Sequence, residues 1–85
     1  MIKVVLEIEV LFDNGIEKKF YTLTQLDMTT EEAQKQADKA LNEITDIVKS
    51  YYNEGEKGFL YVGNTTINMV KTVYVKPTLV ELKEI

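Results

Sequence analysis

From Ile2 to Phe12 the even positions are Ile2, Val4, Leu6, Ile8, Val10 and Phe12, an unbroken apolar face at period two. That period belongs to a strand with one side buried. Asp13-Asn14-Gly15 follows, with Gly15 able to take positive φ at no steric cost, and a second alternating segment comes after it. Two registers compete for this hairpin. A two-residue Asn14-Gly15 turn sets Glu17 opposite Phe12 and exposes Ile16 and Phe20. A three-residue loop pairs Phe12 with Ile16, Ile8 with Phe20 and, on the reverse face, Glu9 with Lys19. The second arrangement is preferred, and its one cost is Lys18 opposite Val10 on the core side, where the amine snorkels to the rim.

The period then changes. Thr29 and Glu32 have the spacing of a capping box, and Met28 with Ala33 has that of a hydrophobic staple. Beyond them Ala33, Ala37, Ala40, Leu41, Ile44, Ile47, Val48 and Tyr51 recur at intervals of three and four. They predict one amphipathic helix from about Thr29 to Tyr52, with alanines allowing close approach to a sheet at its start. Asn53 to Gly58 reads as a return loop. Phe59–Val62 and Thr65–Val75 form a second strand pair about a tight Gly63-Asn64 turn, with Leu60 facing Ile67. Leu60, Val62, Ile67, Met69, Val73 and Val75 are then expected on the helix side, unless a turn at Asn68–Lys71 shifts the parity. Pro77 is read as the stop of this ladder, and residues 78–85 as either a strand extension or a loose tail.

The expected fold is therefore α+β, a ββαββ chain in one domain over residues 1–85. One antiparallel or mixed four-stranded sheet carries the helix on one face. Strand order stays open, because the long connection is compatible with either hairpin at an edge.

Composition changes this picture mainly by exclusion. A chain of 85 residues has a single small core and little stability margin. It contains no His, Cys or Trp, and all ten basic residues are Lys. Without His and Cys the usual neutral-pH acid-base group and the most easily activated nucleophile are gone. Ser50 is the only serine, and adjacent Lys49 points away from it on a helix. No phosphate-cradling glycine motif is present. The expectation is a non-catalytic protein without cofactor. Glu54 and Glu56 around Gly55 offer carboxylates to a divalent cation, but they lack the spacing of a calcium loop and read as a solvated turn. Glu31-Glu32 reads as first-turn carboxylates favoured by the helix dipole.

Net charge is −4, the isoelectric point is near 4.8 and no arginine fork is available, which argues against general nucleic-acid or anionic-membrane binding. Glu7 and Glu9 interrupt the first apolar segment before it reaches signal-peptide length, and nothing approaches a membrane span. A cytoplasmic location is the default expectation. Frequent Lys, Ile, Asn, Thr and Tyr with no Arg matches the coding bias of AT-rich bacterial or phage genomes.

The sharpest functional lead is aromatic. On a single sheet, the face away from the helix would carry Val5, Leu11, Tyr21 and Leu23 from the first pair, with Phe59, Tyr61, Val70 and Tyr74 from the second. Such a patch exceeds what a monomer usually leaves exposed, so Val5, Leu11, Tyr21, Phe59, Tyr61 and Tyr74 are the candidate interaction residues. The bland reading is scattered exposure, or cover from the C-terminal segment through Leu79, Val80 and Leu82. The favoured function is a protein-interaction or assembly module, self-associating as a homodimer through this face or a strand edge. The alternative is single-stranded nucleic-acid binding by the same aromatics with Lys57, Lys71 and Lys76. A small apolar ligand between helix and sheet is the weakest option.

Overall fold

The strict alternation of the first segment becomes the middle strand of a sheet. A computed structural model describes residues 1–54 and 58–85, with Glu54 placed by its backbone alone. In chain order the elements are β1 (Ile2–Phe12), β2 (Glu17–Leu26), α1 (Thr30–Glu54), β3 (Phe59–Val62), β4 (Thr65–Asn68), one 3-10 turn (Met69–Lys71) and β5 (Thr72–Glu84). The four-stranded sheet expected from the pattern is instead an antiparallel three-stranded sheet, β2-β1-β5, and a separate two-stranded sheet, β3-β4. The α+β class stands, with one long helix.

The hairpin β1–β2 takes the three-residue loop. Ile8 lies opposite Phe20, Glu9 opposite Lys19 and Val10 opposite Lys18. Phe12 N–H donates to Ile16 O at 2.8 Å and Gly15 N–H to Phe12 O at 3.0 Å. Gly15 has φ of 86°, and Asn14 Oδ1 accepts from Ile16 N–H, so the turn residues act where the chain needs positive φ and a local acceptor. Ile2, Val4, Leu6, Ile8 and Val10 are buried.

Thr29 caps α1 by accepting from Glu32 N–H at 3.2 Å. Ala33 and Ala37 are buried against Ile2, Val4 and Leu6, with Met28, Leu79 and Leu82 packed around them. A second cluster joins Ile8, Val10 and Val75 to Val48 of the helix and to Leu60, Val62, Ile67 and Met69. The small β3–β4 sheet thus lies on the same side of β1 as the helix, and the two share the work of covering the even face. Ile47, assigned to the buried stripe by its spacing, is exposed, because the helix contact is narrower than that stripe.

Two further expectations change at β5. The 3-10 turn breaks the alternation, so Val73 is exposed and Thr72 buried, the reverse of an uninterrupted strand. Thr72 Oγ1 donates to Met69 O at 2.8 Å, which leaves it to accept from the Tyr52 hydroxyl at 2.5 Å, tying the helix end to the strand. Pro77 does not end the ladder, and residues 78–84 continue it beside β1, with Pro77 opposite Ile8. Odd residues of β1 turn their backbone groups to β5, where those of Tyr74, Lys76 and Thr78 meet them, so the backbone groups of Val75, Pro77 and Leu79 face away from β1 in the plane of the sheet. A proline at an outward position costs no ladder hydrogen bond.

The body measures 39 × 24 × 16 Å with a radius of gyration of 13.8 Å. A compact chain of this length has about 12 Å. The molecule is long and thin, and one face of its main sheet is left without a covering layer.

Candidate interaction surface

The uncovered face is built from the odd residues of β1 and their neighbours. Across it run Gln25–Lys3–Lys83, Leu23–Val5–Glu81, Tyr21–Glu7–Thr78, Lys19–Glu9–Lys76 and Glu17–Leu11–Tyr74. Lysines and glutamates interleave. Lys83 Nζ lies 3.0 Å and Lys3 Nζ 3.4 Å from the Glu81 carboxylate, and Lys19 Nζ lies 4.0 Å from Glu7. The Lys83 hydrogen bond, with the charge of Lys3 beside it, holds the Glu81 carboxyl below the usual range. Tyr74 Oη sits 3.3 Å from Glu17 and 3.4 Å from Glu9. Partial desolvation and the two carboxylates push its pKa up. This is the pattern of a solvated antiparallel face, with a charge lattice of small energetic value.

The six candidate residues divide among three places. Tyr21 and Val5 stand with Leu23 at one end of the uncovered face, and Leu11 and Tyr74 stand at the other, with the Glu7, Glu9 and Lys19 charges between. Phe59 and Tyr61 are on the outer side of β3, in the opposite layer. Their rings form a tilted pair with centroids 6.5 Å apart, and Tyr61 is 71% exposed. One continuous aromatic face does not form, since β3 belongs to the other sheet. Cover by the C-terminal segment does not form either: Leu79 and Leu82 pack inward with the alanine end of the helix. Among the basic residues of the nucleic-acid reading, Lys76 shares a face with Tyr74 and Lys71 lies in the 3-10 turn. Lys57, and the Gly55 and Glu56 of the carboxylate loop, lie outside the described residues.

No family model, curated protein or solved structure matches the chain. Function must therefore be argued from its own surface. Among the described residues no group of three or more His, Cys, Asp or Glu side chains is arranged to hold a metal ion, and no helix is long and apolar enough to cross a membrane.

The flank of β2 lies outside both faces of the sheet. Phe12 N–H donates to Ile16 O, so alternation directs the backbone groups of the even residues of β2 to β1. Lys19, Tyr21, Leu23 and Gln25 therefore turn their N–H and C=O groups outward, and among the described residues no strand meets them. Tyr21 and Leu23 are 58% and 61% exposed. On the helix side this flank is uneven. The β3–β4 tip lies over Thr22, close enough that a Cβ on Gly63 would stand 3.3 Å from Thr22 Cγ2. Gly63 also has φ of 57°, a left-handed conformation that glycine adopts without steric cost. Next to the tip an open groove of about 140 Å³ runs between β2 and α1, lined by Val4, Leu6, Thr24, Leu26, Ala37 and Ala40.

The sequence signal for this site is what it lacks. From Phe20 to Leu26 there is no proline and no charge, whereas β5 carries Lys76-Pro77.

Proposed function

We propose that this protein is a non-catalytic assembly module that associates with copies of itself, in the simplest case as a dimer, through the free flank of β2. The observation that carries the reading is the row of backbone groups on Lys19, Tyr21, Leu23 and Gln25 that no strand meets among the described residues, beside the exposed side chains of Tyr21 and Leu23. An edge of that length without bulge, proline or central charge is a template for strand addition. The thin body agrees with it, since joining sheets edge to edge buries surface that one copy leaves in water.

The test is molar mass by light scattering during size exclusion, over a wide concentration range and at low and high salt. The expected result is a species near twice the 9.8 kDa chain mass that persists in salt. A single-chain mass at every concentration would refute self-association. Tyr61→Ser, on the opposite layer, should leave the dimer intact, and dissociation of that variant would move the interface to β3.

A further inference from the structure

We infer that the occupant of the β2 edge is β2 of a second copy, antiparallel to the first about a two-fold axis at Leu23, joining two three-stranded sheets into one of six strands. This rests on the self-association reading above and adds the register. Outward backbone groups must face outward groups, so a symmetric pairing is centred on a residue, and Tyr21, Thr22, Leu23 and Thr24 are the centres that keep the apolar stretch in contact.

Charge and shape choose among them. Centring on Tyr21 sets Lys19 against Leu23 and Lys18 against Thr24, with no opposite charges meeting. Centring on Thr22 brings Glu17 of each copy beside Asp27 of the other, just past the end of β2, a like-charge approach, and sets the two β3–β4 tips over the same pair of residues, where they collide. Centring on Thr24 places Tyr21 against Asp27 and shortens the pairing to Thr22–Leu26. Centring on Leu23 pairs Phe20 with Leu26, Tyr21 with Gln25 and Thr22 with Thr24 along β2, and brings Lys19 of each copy beside Asp27 of the other, just past the end of β2. Opposite charges and apolar pairs then coincide across the strands.

The relief of the helix side agrees with that centre. It sets Thr22 opposite Thr24 of the second copy, so the tip standing over Thr22 adjoins the hollow that opens over Thr24 and Leu26. Each copy supplies one projection and one recess. On the other face Val5 and Leu23 of both copies line up as a single apolar stripe, which the isolated chain leaves half in water.

Because the chain has no cysteine, the register is open to direct cross-linking. In the inferred dimer the two Leu23 Cα atoms are about 5.5 Å apart, within disulfide reach. The two Tyr21 positions are about 13 Å apart, beyond it. Both side chains are similarly exposed, so each variant controls for random collision of the other. Leu23→Cys should oxidise to a covalent dimer and Tyr21→Cys should stay a single chain under the same conditions. Lys19→Glu should weaken association roughly tenfold, as two symmetric charge pairs allow, and adding Asp27→Lys should restore it.

A dimer in which Tyr21→Cys links instead, or neither variant links, would overturn this register and leave self-association standing. A monomeric wild-type chain would overturn both.

Discussion

The two edges of the main sheet solve the same problem in opposite ways. β5 runs for 13 residues with irregularities beside Val5 and Leu11, presents Pro77 outward, and is roofed by α1. β2 is 10 residues long, regular in its pairing, and apolar or uncharged from Phe20 to Leu26. Bulges, proline and cover are the means by which sheets refuse a further strand, and here they are concentrated on one side. A chain that needed only to stay monomeric would gain from the same devices on both. That one-sidedness is what the proposed pairing at the β2 edge would require.

The comparison breaks most visibly with proline. Thr22→Pro deletes an N–H that β1 uses and should lower unfolding stability by about 3 kcal/mol, from the lost bond and the carbonyl left unpaired. Leu23→Pro, one residue on, deletes an N–H that only a second copy would use. It should melt close to wild type yet run as a monomer, much as Pro77 sits in β5 without breaking its ladder. Equal losses of stability from the two prolines, measured by denaturant titration, would mean that the inward and outward assignments are wrong.

A smaller effect belongs to the closed edge. Thr72→Val removes the hydroxyl that links Tyr52 to Met69 O, and should cost about 1–2 kcal/mol while leaving association unchanged. If it also shifted the monomer–dimer equilibrium, the two edges would be coupled and the contrast between them blurred.

The smallest effect is electrostatic and again lies on β5. The folded carboxyl of Glu81 has a lowered pKa, so its contribution is present above the unfolded value and is lost as pH falls through the folded one. Stability should decline slightly more steeply below the ordinary carboxylate range, about 4, in wild type than in Glu81→Gln. Because Lys3, Lys83 and Glu81 are partly exposed, high salt should erase the difference. Parallel curves for the two proteins at low salt would show that the bridge contributes nothing.

Much of this architecture is legible from local rules. The β1–β2 register follows from side-chain parity with Gly15, the start of α1 from Thr29 and Glu32, and the pairing of Leu60 with Ile67 from Gly63-Asn64. What local rules do not carry is sheet membership. The four residues of β3 show which of their sides is buried, and the same alternation serves a strand hydrogen-bonded to β1 or one packed on top of it. That ambiguity joined Phe59 and Tyr61 to Tyr21 and Tyr74 in one expected patch and hid the division between layers. Pro77 misled for a related reason: it forbids a hydrogen bond on one side only, and which side is outward depends on the partner. The candidate edge was readable only once the order β2-β1-β5 was known.

Ile85 N–H donates to Met1 O at 3.0 Å, so the backbone pairing of β1 with β5 extends one residue past both strands. For β5 to find β1, the chain between Phe12 and Thr72 must close into a loop, at an entropic cost of about 4 kcal/mol, whereas β2 reaches β1 across three residues. Hairpin formation is therefore expected to precede the docking of β5. In that interval β1 is itself an open edge, exposed on the side that β5 later fills.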